Sequence, residues 1–344
     1  MARSLGLASG SGYRSIETSR PVSATTSQVF GSAGNVRAVD TRPFPAEGAM
    51  PTMTAAPTTV RYPSSGGVSI TAYRWDPSGR PTGVVQLTHG MGEHALRYGE
   101  LAGVINARGL VVYGQDHRGH GATATSEADY GVLGSDGWTE LVADIGRLTD
   151  LIRTEHPDLP LILLGHSMGS FAVQQYLVDH SDRVSAAVLT GTAAIDLLEP
   201  GLDLDAPIDL SAFNAAFQPA RTDYDWLSRD DEQVDAYVAD PRCGFGLDVP
   251  SGKSMFLSAG RPADPEELAK VRSDLPLYLA VGDADPLNGG LALLTPLVDR
   301  YRAAGLTDVT VRVYPEARHE ILNETNRDEV YADLVGWISR VLEP

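Results

Sequence analysis

Six short, nearly uninterrupted apolar runs set the tightest limit on how this chain can fold: GVVQLTHG (83–90), GLVVYGQD (109–116), LPLILLGHS (159–167), VSAAVLTGT (184–192), LPLYLAVGD (275–283) and DVTVRVYP (308–315). Runs this short and this apolar belong to strands covered on both faces of a parallel sheet. Helix-like stretches lie between them, over 96–108, 137–155, 168–180, 290–304 and 326–342. Such alternation predicts right-handed crossovers and a doubly wound, mostly parallel α/β sheet. Two earlier runs, TTVRYP (58–63) and VSITAYRW (68–75), alternate in polarity around SSGG and predict an antiparallel hairpin.

One interval breaks the alternation. Residues 194–272 contain no strong strand pattern, only helix-like and irregular sequence rich in Pro, Asp and aromatics. An excursion of that length between two core strands predicts an inserted cap over the strand ends. The expected organisation is therefore a leader over 1–57, a first part of the core over 58–193, the cap over 194–272 and the rest of the core over 273–344. Residues 1–50 hold eight Ser and six Gly without a hydrophobic period, and are expected to be a disordered leader.

Charge and cysteine content exclude whole classes of function. With 27 Lys+Arg against 45 Asp+Glu the net charge is −18, which repels nucleic-acid phosphate and anionic headgroups. No nucleic-acid partner is expected. Cys243 is the only cysteine, so neither an intrachain disulfide nor a thiolate-rich metal site can form. No apolar window reaches the roughly 18–20 residues of a membrane-spanning helix, so stable membrane insertion is not expected. The start, MARSLGLASGSGYR, makes a poor signal peptide, and a cytoplasmic location is expected.

The most specific chemical signal is Gly165-His166-Ser167-Met168-Gly169, between the run LPLILL and the helical SFAVQQYLV. A serine in such a strand-to-helix turn is strained and projects its hydroxyl from the sheet. That hydroxyl is a weak nucleophile unless a base accepts its proton and a third group orients the base. After Ser167 the only histidines are His180 and His319. His180 falls near the end of the following helix, whereas His319 follows the last strand in YPEARHEIL, so His319 is the expected base. For the acid, GDADP offers Asp283 and Asp285, with Glu316 and Asp264 as outsiders. Asp285, past the strand end, is favoured; Asp283 could instead pin the loop through backbone N–H groups.

Acyl transfer also needs donors for the developing oxyanion. The Met168 amide follows the nucleophile, and His89-Gly90-Met91-Gly92-Glu93-His94 after GVVQLT can offer the Met91 amide. His89, His94, His117 and His120 lack the helical spacing of a metal site, and loop clusters of Asp, His and Arg more often hold a backbone turn. Neither a Walker-type nor a dinucleotide-binding glycine pattern is present. Neither metal nor cofactor is expected.

HGMGEH with the following RY, DHRGHG, the GW..LV.D pattern (Gly137, Trp138, Leu141, Val142, Asp144) and LLGHSMGS together resemble the α/β-hydrolase-fold monoacylglycerol lipase and lysophospholipase family, which takes in serine aminopeptidase-like sequences. The resemblance covers 60–190 and returns over 275–340. It implies Ser167, Asp285 and His319 as a catalytic triad, the Met91 and Met168 amides as oxyanion hole, and a mobile cap over an acyl tunnel. The cap carries no motif that matches.

Residues 194–250 contain thirteen acids and three arginines, a net charge of −10. Most of those carboxylates are expected on a solvated face. Their field favours neutral esters over phospholipids. The expectation is a serine hydrolase of small carboxylic esters, short- to medium-chain, with monoacylglycerols the leading candidate. An amidase or aminopeptidase on the same triad, a non-catalytic ligand-binding protein and a cofactor-free oxidative enzyme of the same fold are the alternatives.

Overall fold

Over the described residues, 56–201 and 203–343 of this computed structural model, the expected runs form one sheet. Its strands are β1 (Thr58–Pro63), β2 (Ser69–Trp75), β3 (Gly83–Thr88), β4 (Leu110–Gln115), β5 (Leu161–His166), β6 (Ala186–Thr190), β7 (Leu277–Gly282) and β8 (Val309–Tyr314). The leader expected to be disordered lies outside the described residues, apart from its last two positions.

The order across the sheet is β1-β2-β4-β3-β5-β6-β7-β8. The β1–β2 hairpin and the β2–β4 pair are antiparallel, and every other pair is parallel. β3 to β7 are buried along their whole length, as their continuous apolar sequence requires. Alternate residues of each strand serve opposite faces. Val84, Leu161 and Leu163 join one apolar cluster, whereas Val85, Ile162 and Leu164 join the other.

The helices are α1 (Gly99–Asn106), α2 (Gly137–Glu155), α3 (Met168–His180), α4 (Ile195–Leu198), α5 (Asp231–Ala239), α6 (Val249–Ser258), α7 (Gly260–Ala263), α8 (Pro265–Leu268), α9 (Leu294–Ala303) and α10 (Arg327–Leu342). α1 and α10 cover one face of the sheet; α2, α3 and α9 cover the other. α2 shows why it docks: Trp138, Leu141, Ile145, Leu148 and Ile152 recur at three- and four-residue spacing and are buried as one stripe.

The pattern GW..LV.D finds its reason here. The buried Asp144 of α2 takes the Arg118 Nε–H at 2.9 Å and an Arg147 guanidinium N–H at 2.6 Å. Arg118 belongs to DHRGHG, so the two motifs meet as one ion-pair network beneath the loop after β4.

Between β6, ending at Thr190, and β7, starting at Leu277, the chain leaves the sheet. A small apolar cluster of Leu210, Trp226, Leu227 and Tyr237 holds the first part of this excursion together. Its second part packs on the main core: Met255, Phe256 and Ala259 join the α2–α3 side. The Ser251 and Ser254 hydroxyls of α6 accept the Leu133 and Trp138 backbone N–H groups at 2.9 and 3.2 Å.

Candidate active site

Ser167 is the one residue between β5 and α3, with φ 51° and ψ −122°. A non-glycine residue there is strained, and the strain persists only because its surroundings fix it. A Cβ on Gly169 would sit 2.3 Å from the Thr88 carbonyl oxygen, and one on Gly165 would sit 2.6 Å from the Gly169 carbonyl oxygen. Both glycines of G-x-S-x-G are thus demanded by close backbone approach. The Ser167 N–H donates to the Thr190 carbonyl at 2.9 Å, and its own carbonyl takes the Ser170 hydroxyl at 2.6 Å.

The carboxyl ends of β7 and β8 bring the next pair together. Asp285 Oδ2 lies 2.9 Å from His319 Nδ1, while Asp285 Oδ1 accepts the Leu287 N–H at 2.9 Å. Both side chains are buried, His319 at 2% and Asp285 at 1% exposure. Burial acts to lower the imidazole pKa, but the Asp285 carboxylate overrides it and holds His319 above the ordinary histidine value. Asp283 is exposed and turned elsewhere: it accepts the Glu316 N–H at 2.6 Å, where Glu316 turns the chain at φ 60°. Asp264 caps α8, and His180 ends α3 with its ring 4.7 Å from Tyr176.

Ser167 and His319 line one cavity without a hydrogen bond between them. Such bonds are often long before substrate binds. The loop after β3 lies against the serine, since a Cβ on Gly90 would come within 3.2 Å of Ser167 Cβ. Among the described residues no acceptor engages the Met91 or the Met168 N–H, and both residues line the cavity. Met168 opens α3, where backbone N–H groups point outward at the positive end of the helix.

The cavity encloses about 420 Å³, at the small end of the roughly 300–1,000 Å³ usual for ligand pockets. Its wall is mainly apolar, with Phe171, Leu204, Ile208, Phe213, Met255 and Leu287, and Glu93, Glu320 and Tyr237 stand among its polar residues. Two of these carboxylates had no assigned role in the sequence. Arg97 ties them together, reaching Glu93 at 2.7 Å and Glu320 at 2.6 Å. Glu93 Oε1 also accepts the Gly90 N–H at 2.6 Å, so the network holds the loop beside Ser167. Burial pushes the Glu93 carboxyl up; in Glu320 the Arg97 guanidinium overcomes burial and holds the carboxyl at about 2. The four-residue step from Glu93 to Arg97 was the available signal. Nothing in the sequence linked Arg97 to Glu320, 223 residues away.

The histidine-rich loops serve backbone geometry. The His117 N–H donates to His89 Nε2 at 3.0 Å, and Asp116 takes the Ala95 and Ala122 N–H groups at 2.9 and 2.7 Å. Burial lowers the pKa of His117 to about 3 and that of His120 to about 4, so both are neutral near pH 7. One group sequence spacing did not suggest is His94, Asp240 and Cys243, whose donor atoms lie within 4.8 Å of one another. Arg242 already bonds both oxygens of that Asp240 carboxylate, at 3.0 and 2.7 Å. No helix among the described residues is long and apolar enough to cross a membrane.

Comparison with known proteins places this geometry. The family model described as serine aminopeptidase, S33, matches residues 79–326. A monoacylglycerol lipase of Mycolicibacterium smegmatis is 37% identical over 79% of this chain and 94% of its own length. The human monoglyceride lipase is 30% identical over 77% of this chain and 85% of its own. Among solved structures, a thermostable carboxyl esterase from Bacillus coagulans, in complex with glycerol, superposes with a TM-score of 0.73 at 28% identity, covering 84% of this chain and 100% of that one. The fold that the esterase shares with this chain is the α/β sheet built above. By family model and by full-length relatives alike, the chain belongs to the serine aminopeptidase S33 family of α/β-hydrolases, in the company of the monoacylglycerol lipases.

Proposed function

We propose that this serine ester hydrolase cleaves monoacylglycerols and similar neutral esters of short to medium chain, with Ser167, His319 and Asp285 as its triad. The observation that carries the reading is a strained serine opening, together with the Asp285-bound His319, onto one largely apolar cavity. Ser167 attacks the ester carbonyl as His319 Nε2 takes its proton. The oxyanion is met by the Met91 and Met168 N–H groups, which have no other acceptor among the described residues. His319 then protonates the leaving alcohol, and the same histidine activates water to release the acid. Asp285 accepts from Nδ1–H throughout, fixing the tautomer and stabilising the imidazolium.

Two features support a neutral substrate. Of the four carboxylates lining the cavity, Glu93 and Glu320 are engaged by Arg97, while Asp203 and Asp209 each accept a backbone N–H of their own turn. The acidic cap opposes an anionic headgroup. Relatives named for monoacylglycerol hydrolysis support the glycerol ester.

Initial rates on p-nitrophenyl esters of increasing acyl length, then on monoacylglycerols, test the reading with wild type and Ser167→Ala. Ser167→Ala is expected to lose at least about 10⁴-fold in kcat on every ester. Turnover of monoacylglycerol that survives this substitution would refute the assignment.

A further inference from the structure

The cap is not a free lid at every point. Residues 225–229 lie along the loop that carries His319 and are fastened to it repeatedly. The Glu320 N–H donates to the Leu227 carbonyl at 2.7 Å, and the His319 N–H reaches the Trp226 carbonyl at 3.4 Å. Arg318 donates to the Ser228 carbonyl at 3.0 Å, and the Ser228 hydroxyl donates to the Asn323 carbonyl at 2.9 Å. Arg229 binds the buried Glu324 carboxylate at 2.9 Å.

This seam places the Trp226 indole against the histidine. The ring centroids of Trp226 and His319 are 4.8 Å apart with 37° between planes, and Phe213 backs the indole at 5.0 Å. Trp226 is 3% exposed, and its backbone N–H donates to Asn214 Oδ1 at 2.9 Å. Its indole N–H has no acceptor among the described residues. A buried indole donor usually finds a partner, and leaving one unpaired is unfavourable. The ring is held in place by its faces, not by its polar edge.

We infer that Trp226, on the cap, is a positioning residue for His319, its indole face holding the imidazole in orientation and favouring the protonated form that arises during each acyl transfer. The inference rests on the proposed role of His319 as base. An aromatic face within about 6 Å of a desolvated cation attracts it, and tryptophan does so most strongly. Because the imidazolium appears as the transition state is reached, that attraction accelerates the chemical step. The charged and titratable groups around His319 are Asp285 from the loop after β7, Glu320 on its own loop, Glu93 and Arg97 from the segment after β3, and His166 at the end of β5, whose ring lies 4.9 Å away. Substitution at Trp226 removes none of them, so a change in the titration of His319 reports on the indole.

Trp226→Phe and Trp226→Leu test this with p-nitrophenyl acetate, whose acyl group is too short to sense a widened cavity. The leucine variant is expected to lose about tenfold in kcat and to move the acid limb of the kcat/KM profile down by about half a unit or more; the phenylalanine variant falls between it and wild type. The imidazole titration followed by NMR in Trp226→Phe gives a readout that needs no turnover and no leucine variant: a midpoint below wild type supports the inference, and an unchanged one overturns it. A fall in kcat with an unmoved acid limb would reduce Trp226 to a wall of the cavity. Should Ser167→Ala retain full activity, it is the triad assignment that fails, and that result is separable from this one.

Discussion

The loops at the carboxyl edge of the sheet and the first part of the cap are built under different constraints. In the loops the residues around Ser167 and His319 are fixed by what lies within 3 Å of them. Gly169 admits no Cβ because the Thr88 carbonyl is in the way, and Asp285 must reach both His319 and the Leu287 N–H. In the cap, carboxylates do interchangeable work. Asp209, Asp230 and Asp248 each accept backbone N–H groups at the start of a helical turn, where Ser, Thr or Asn would serve nearly as well. None of the thirteen acids of 194–250 is buried, as a solvated face requires, and three of them also cap helical turns. A region with few acceptable residues writes a motif into the sequence; a region with many acceptable residues does not.

The comparison breaks first at the two aspartates of GDADP. Asp285→Asn keeps the shape but loses the carboxylate that holds His319 in the required tautomer, and kcat is expected to fall about 10⁴-fold. Asp283→Asn leaves the Glu316 N–H with an amide oxygen to bond, and kcat is expected to stay within about twofold. Wild-type activity should also carry the mark of Asp285 in its pH dependence. On the proposed mechanism His319 must be neutral to accept the serine proton, and its pKa is raised, so the acid limb is expected above 6.5. Rates measured from pH 5 to 9 on both variants decide the matter; a larger loss in Asp283→Asn would exchange the two roles.

Ion pairs give the next contrast. Arg97 sits between two buried carboxylates, and replacing it with Met leaves both without their cation, at a cost of about 3–5 kcal/mol. The Tm is expected to fall by several degrees, and activity should fall with the loosened Gly90 loop. Arg221 of the cap pairs with Asp231 and Asp235 in solvent. Arg221→Met is expected to leave Tm unmoved. Scanning calorimetry of the two variants side by side measures the difference, and equal shifts would place the cap pairs in the same class as the buried network.

The sheet and its helices were legible because burial on both faces leaves period and composition little freedom. α2 and α3 begin and end where the pattern put them. The helix expected over 290–304 begins only at Leu294, because Gly289, Gly290 and Leu291 hold the left-handed region in succession. The helix expected over 96–108 is shorter too, with the 3-10 turn Ala95–Tyr98 leading into α1 at Gly99. Ser167, His319 and Asp285 stood out through position relative to the strands. Glu320 and Trp226 did not, since their meaning lies in partners brought together by the tertiary fold: Arg97 for the carboxylate, and the His319 ring for an indole 93 positions earlier, a pairing that neither period nor motif encodes.

The smallest expected effect concerns whether the cap's charge acts on substrate at all. Its net −10 over 194–250 is a long-range property, distinct from the contacts inside the cavity. Fields of that kind are screened as the Debye length drops from about 10 Å at 0.1 M salt to about 3 Å at 1 M. For a neutral monoester, kcat/KM is expected to hold within about twofold across that range, because no charge on the substrate feels the field. A hemisuccinate ester of the same acyl length should bind poorly at low salt and improve as salt rises. If instead both esters respond alike, the cap's carboxylates contribute through their caps and turns alone, and selection of neutral esters must come from the cavity wall.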